Sequence, residues 1–323
     1  MVKKIIGGIL FALFCIAIIC ISVFVGKFLY SIYDNQIQIV DKDTQELNME
    51  IEKEEILNIV LVGMDTRSDN YNSRSDSIIL LSYNKDRHIL KMVSFLRDTW
   101  VYLPGKGYSR INNATAYGGV GLLINTLNEN FDLDIQNYVQ VRFEDFKKII
   151  DIMGGLDVEL SKSEINYINN KLHTDDKDWN NDITDSPGVI HLNGVQTLWH
   201  CRNRTIGEGD FSRTDRQREV LQLIVNKMMS LSKIEVTKLL YDMKDSVNMN
   251  IPLDTVLSIA SDALISRNIE IESYRIPFEN MYHYANKNGA SVLEINMDKT
   301  VIELHKILGI SEDVSEVSSE EVK

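Results

Sequence analysis

Residues 5–26, IIGGILFALFCIAIICISVFVG, form an uncharged apolar run of 22 residues near the start of a 323-residue chain. At about 1.5 Å of rise per residue, a helix of that length crosses a hydrocarbon core of ~30 Å. A cleaved signal peptide has a shorter apolar core, ~7–15 residues, followed by a small-x-small cleavage site. No such site precedes Lys27. The run therefore predicts an uncleaved membrane anchor. Lys3 and Lys4 stand before it, whereas Asp34, Asp41 and Asp43 follow it. That basic bias puts residues 1–4 in the cytoplasm and the rest of the chain outside. The expectation is a single-pass protein of the cell membrane with an extracellular body.

Beyond the anchor, residues 27–55 read as a polar, acidic stalk, and residues 311–323 as an acidic disordered tail. Between them the pattern alternates. LNIVLVG (57–63), SIILLSY (77–83) and HILKMVSF (88–95) are short aliphatic runs of the kind that become buried strands, the last two joined by a loop at 84–87. A helical pattern over 113–130 precedes a strand at 138–143, a helix stopped by Gly154 and Gly155, and a strand at 156–160. Residues 171–188 are turn-rich and read as a surface loop or flap. Helices near 193–200, 212–231, 234–247 and 253–266 lead to a strand at 269–277 and a last helix at 297–308. The fold class is α/β, as one domain over 56–310.

The formal charge of -13 excludes a general affinity for nucleic acid, so any polyanion site must be a local concentration of arginine. That concentration exists. Residues 202–218, RNRTIGEGDFSRTDRQR, contain Arg202, Arg204, Arg213, Arg216 and Arg218. At ~100° per residue, Val220, Ile224, Met228 and Leu231 define an apolar stripe on which Arg213 and Gln217 also fall. Arg216 lies at its margin, and Arg218 and Asp215 point away. An arginine aligned with a core face is costly unless an anion meets it, which leaves two readings: a bound anion or an internal Arg–Asp pair. Asp210 is available either to cap this helix or to pair with Arg213.

A second cluster sits at strand ends. Asp65 follows the first strand, Arg74 and Asp76 begin the second, and Arg97 and Asp98 follow the third. In α/β proteins such positions gather into sites. Two carboxylates beside several arginines suit a divalent cation sharing a site with a multiply charged oxyanion: Mg²⁺ takes one or two carboxylates plus phosphate oxygens, and Arg grips phosphate with a planar fork. The chain has no phosphate-binding P-loop, no HExxH, no CxxC and no GxSxG. Gly118-Gly119-Val120-Gly121 is expected to permit close helix packing rather than to cradle a phosphate.

The ordered series Gly63-Met64-Asp65-Thr66-Arg67, Arg74-Ser75-Asp76-Ser77, Phe95-Leu96-Arg97-Asp98-Thr99, Arg110-Ile111-Asn112, Gly154-Gly155-Leu156, Leu192-Asn193-Gly194, Arg202-Asn203-Arg204 and Gly209-Asp210-Phe211-Ser212-Arg213-Thr214-Asp215-Arg216-Gln217 resembles the LytR–CpsA–Psr family of bacterial cell-envelope proteins. The resemblance implies a single domain with a central mixed β-sheet flanked by helices. It implies a phosphotransferase that moves an anionic glycopolymer, a teichoic acid or wall or capsular polysaccharide, from a polyprenyl-diphosphate carrier to peptidoglycan. It also implies Mg²⁺, or Mn²⁺, on Asp65 and Asp76, and a diphosphate lined by Arg74, Arg97, Arg202, Arg204, Arg213 and Gln217. Arg97, Asp98 and Asp210 are its catalytic candidates, with Asp98 and Asp210 both open as the base. The prenyl chain, in contact with membrane lipid, needs an apolar slot, for which the space between the sheet and the helix at 113–130 is one place. Three rivals stand beside it: a hydrolase that releases the lipid diphosphate to water with the same residues, a membrane-bound transcriptional attenuator, and a non-catalytic glycan-binding module. The acidic composition, the lack of a helix-turn-helix signature and a four-residue cytoplasmic end oppose the second.

Overall fold

A computed structural model of the chain describes residues 56–65, 73–266 and 269–310. The expected anchor, stalk and acidic tail, and Thr66 and Arg67, lie outside the described residues. Among the described residues no helix is long and apolar enough to cross a membrane.

The three aliphatic runs become β1 (Ile56–Met64), β2 (Ser75–Asn84) and β3 (Ile89–Phe95), an antiparallel meander. His88 turns the β2–β3 connection with φ +54°. The meander is the centre of a six-stranded mixed sheet, extended on one side by β6 (Asn137–Arg142) and β9 (Asn248–Met249), and on the other by β10 (Glu270–Ile276). β6 runs parallel to β1 and β10 parallel to β3, so both chain reversals cross helical layers. Both faces are covered, which is why these strands are aliphatic throughout rather than alternating with polar residues.

One face carries Val60, Val62, Ile78, Leu80, Val93 and Phe95, packed under α1 (Asn113–Phe131) and α8 (Met297–Leu308). Phe131 meets Phe95 at 5.0 Å between ring centroids. The expectation of an unbroken helix over 113–130 is corrected here. Gly118 (φ -163°, ψ 27°) and Gly119 (φ 66°, ψ -165°) are not helical and split α1 in two. Only glycine adopts the second conformation without severe strain, so Gly118 and Gly119 mark a break in the helix, while Val120 and Gly121 beyond it are buried.

The other face carries Ile79, Tyr83, Leu90 and Met92, covered by Leu221 and Val225 of α5 (Asp210–Ser230) and by Ile259 of α7 (Leu253–Ser266). A separate core joins α2 (Phe143–Ile152), α3 (Lys162–Lys171), α4 (Gly194–Arg202) and the antiparallel pair of β7 (Leu156–Leu160) and β8 (Gly188–Leu192). Gly154 and Gly155, both with positive φ, end α2 as expected. The 171–188 stretch is less irregular than its composition suggests. Lys171 closes α3, and Leu172–Asp176 form a π-helical turn fixed by the fully buried Leu172.

Helix α6 (Lys233–Met243) follows α5, its Ser232 and Glu235 forming a capping box. Two hairpins are absent from the sequence reading: β4 (Trp100–Leu103) with β5 (Gly107–Arg110), and β11 (Tyr282–Lys287) with β12 (Ala290–Ile295). The second lies against the end of β3, where Thr99 bridges to Leu293.

Candidate diphosphate site

The site forms where β1 and β3 end and β2 begins. Ser75 opens β2 opposite Met64, across an irregularity at Gly63/Met64, which brings Asp65 and Asp76 to the same end of neighbouring strands. The Ser75 amide donates to Thr115 Oγ1 at 2.9 Å, fixing the strand entry that carries Asp76. At the end of β3, the Leu96 amide donates to the Ile276 carbonyl at 2.8 Å, holding the residue before Arg97 against the end of β10. The fourth supplier is α5, whose first turn brings Asp210 and Arg213. Gly209, with φ +64°, starts that helix, and Ser212 Oγ accepts from the Glu208 amide at 2.7 Å. Asp210 is therefore the first helical residue and does not cap. Its carboxylate pairs instead.

Three arginines converge on two aspartates. Arg97 reaches Asp76 at 2.5 Å and Asp210 at 3.1 Å. Arg204 reaches Asp210 at 3.2 Å and Asp76 at 3.8 Å. Arg213 reaches Asp210 at 3.3 Å and Asp76 at 3.8 Å. The knot carries one positive charge more than its carboxylates balance. Burial opposes the charge on Arg97, yet Asp210, Asp76 and Asp98 outweigh it and hold its pKa above the ordinary arginine value. Arg213 is the opposite case. Its side chain is 2% exposed, and burial, reinforced by Arg97 and Arg204, overrides the two aspartates and lowers its pKa to about 10. It remains a cation at neutral pH. Its Nε and the Gln217 Oε1 one turn on are both buried without a hydrogen-bond partner among the described residues. Buried polar atoms left unpaired cost about 1–3 kcal/mol each, so their presence marks a place where a ligand is expected.

The remaining predicted residues form the rim. Arg202 pairs with Asp65 at 3.2 Å, its guanidinium lying between the rings of Phe143 at 4.7 Å and Trp199 at 4.8 Å. Asp98 accepts from Arg110 at 2.8 Å and lies 3.7 Å from Arg97 Nε. Arg74 is exposed beside Ser75 and makes no ion pair among the described residues. Arg216 faces away from the knot. It binds Glu164 at 3.1 Å and the carbonyls of Asn203 and Ile206 at 3.2 and 3.0 Å, clipping the loop that presents Arg204. Arg218 does not point into solvent as helix arithmetic suggests: it is 8% exposed and paired with Asp215. α5 is buried on two sides, so a single apolar stripe underestimates its covered surface.

On the helix beside which the apolar slot is expected, Leu123, Ile124 and Leu127 are fully buried and belong to the core cluster of the sheet. Three contributors to the site carry only weak sequence signals. Trp199 is one helical turn before Arg202, an i,i+3 spacing that permits stacking. Phe143 opens the helix after β6. The β11–β12 hairpin has a turn signal, Asn288-Gly289, between strands of poor alternation.

An arrangement of several arginine forks, their counter-carboxylates and unpaired buried polar atoms suits a diphosphate. The model of the LytR_cpsA_psr family matches residues 27–306. A polyisoprenyl-teichoic acid–peptidoglycan teichoic acid transferase, TagU of Oceanobacillus iheyensis, is 33% identical over 257 residues, covering 76% of this chain and 76% of that protein. Among solved structures, TagT bound to LIIa-WTA superposes with a TM-score of 0.69 at 24% identity, covering 84% of this chain and 98% of that one. The protein YwtF (TagT) with bound octaprenyl pyrophosphate lipid superposes with a TM-score of 0.62 at 24% identity, covering 81% and 94%.

Proposed function

The chain belongs to the LytR–CpsA–Psr family, and from that premise we propose that it transfers an anionic cell-wall glycopolymer from a polyprenyl-diphosphate carrier to peptidoglycan through a phosphodiester bond. The observation that carries the reading is the knot of Arg97, Arg204 and Arg213 on Asp76 and Asp210, with Arg213 Nε and Gln217 Oε1 buried and unpaired beside it. The name of the TagU relative supports transfer over hydrolysis. The same proposal includes the anchor at 5–26, with the domain outside the membrane, where both the lipid donor and the wall are within reach.

The residues divide the work. Arg97, Arg204 and Arg213 exchange part of their carboxylate pairing for diphosphate oxygens and neutralise the charge that grows on them as the bridging bond lengthens. Asp210 and Asp76 keep these cations aligned while the donor is absent. Arg202, stacked between Phe143 and Trp199, is held for a second set of phosphate oxygens. A hydroxyl of the acceptor attacks the glycan-side phosphorus, and polyprenyl phosphate leaves.

Among the described residues no three His, Cys, Asp or Glu side chains gather as a metal cage. Two carboxylates at adjacent strand ends do fit a cation that completes its shell with water and phosphate oxygens. Asp65 and Asp76 would hold that Mg²⁺, or Mn²⁺. It would add Lewis-acid neutralisation of the phosphoryl oxygens.

The test is transfer of a lipid-diphosphate-linked glycan to peptidoglycan by purified Arg97→Ala and Asp76→Ala. Each is expected to lose about 10²–10³-fold in kcat while keeping native circular dichroism. Full activity of both variants would overturn the site. Equal release of glycan phosphate with and without peptidoglycan would replace transfer by hydrolysis.

A further inference from the structure

A hollow of about 190 Å³ adjoins the arginine knot on the side where the β11–β12 hairpin closes over the end of β3. Its walls are Leu96, Phe211, Val292, Leu293 and Tyr284, and its polar residues are Asp98, Asp210 and Ser291. Among the described residues no lysine or arginine lines it, although it shares Asp210 with the arginine knot. An anion there would meet Asp98 and Asp210, whose charges are already matched by arginines behind them. The chemistry suits an uncharged ring with hydroxyls on its rim, and the volume is of the order of one hexose.

The walls are fixed. The Leu293 amide donates to the Asp98 carbonyl at 2.9 Å, tying the hairpin to the residue that lines the hollow. Arg275 lies 4.6 Å over the ring of Phe211, which meets Tyr282 at 5.4 Å, which in turn meets Tyr284 edge-on at 6.0 Å. This chain of contacts holds Tyr284 while leaving it 67% exposed, with a face open to a ligand. The two carboxylates are not equivalent. Asp210 is engaged on both oxygens by Arg97, Arg204 and Arg213. Asp98 spends Oδ1 on Arg110 at 2.8 Å, while among the described residues its Oδ2 has only Arg97 Nε at 3.7 Å.

We propose that this hollow seats the acceptor sugar of peptidoglycan, with Tyr284 as its stacking platform and Asp98 Oδ2 as the group that receives the hydroxyl proton. The proposal rests on the transfer reading above. The acceptor hydroxyl oxygen forms a bond to the glycan-side phosphorus as the bond from that phosphorus to the bridging oxygen breaks. The electron pair leaves with polyprenyl phosphate, and the hydroxyl proton passes to Asp98 and then to solvent.

The test uses the full-length chain in detergent, titrated with a soluble N-acetylglucosaminyl–N-acetylmuramyl glycan fragment. Tyr284→Ala is expected to weaken fragment binding about tenfold, and Tyr284→Trp to restore it, with the affinity for polyprenyl-diphosphate-glycan unchanged in both. Val292→Trp, which fills the hollow from an independent strand, is expected to block the fragment. Fragment binding equal to wild type in Tyr284→Ala and Val292→Trp would overturn the proposal, as would a wild type that binds no fragment. A parallel loss of donor affinity would overturn it too, by making the hollow a donor subsite. A wild type that binds the fragment in a Tyr284-dependent way yet transfers nothing would uphold the sugar subsite and sink the transfer reading alone.

Discussion

Arg213 is kept charged against its own burial. Its folded-state pKa, about 10, lies below that of an unfolded arginine, so the unfolded chain holds the proton more tightly. The cation therefore destabilises the fold at neutral pH, and this cost fades only as pH rises through about 10 towards the unfolded value. Arg213→Met should raise the thermal midpoint, by a stability on the order of 2 kcal/mol, while lowering kcat about 10²–10³-fold. Removing Arg213 leaves Asp210 paired with Arg97 and Arg204, so no carboxylate is orphaned. A lowered midpoint in calorimetry would show that the buried cation is net stabilising. The position of Arg213 and Gln217 was legible from helical spacing alone, because Val220 and Ile224 define the face they share. The same arithmetic failed at Arg218, since Leu221 and Val225 bury a second face against the sheet.

At the scale of elements, α4 and the π-helical turn act together on Arg202. Asp176, the last residue of that turn, accepts from Trp199 Nε1 at 2.5 Å, and Trp199 with Phe143 flanks the Arg202 guanidinium. Trp199 thus positions the guanidinium of Arg202, which pairs with Asp65 at 3.2 Å. Trp199→Ala should lower kcat/KM for the lipid donor about tenfold, mostly through KM, and Trp199→Phe should recover most of it. Equal losses in both variants would mean that the ring does not act by stacking. Little of this could be read from sequence. The 171–188 stretch is polar and turn-rich, and what orders it is a buried Leu172 and a partner 23 residues further on, neither of which leaves a local period. The central strands were legible because burial on both faces demands continuous aliphatic residues. The β4–β5 and β11–β12 hairpins were not, because their strands are short and half exposed.

For the whole molecule, the knot couples three separate chain segments, so occupying it should tighten all of them. Inorganic pyrophosphate at about 100 times its Kd should stabilise the protein by ~2.7 kcal/mol, read as a rise in thermal midpoint that Arg97→Ala abolishes. An equal rise in that variant would place the anion elsewhere. The pairing of β3 with β10 has a different kind of consequence. β1, β2 and β3 are neighbours in sequence and can pair as soon as they are made, but the strand that completes the β3 edge comes some 180 residues later. Leu293, which bridges Thr99, comes later still. A nascent chain that has produced β1 to β3 and even α5 already owns Arg97, Arg204 and Arg213, yet lacks the strand beside Asp98. Synthesis order thus acts as a timer: the protein can gather its cations early but cannot complete the wall around Asp98 until residues 270–295 have arrived.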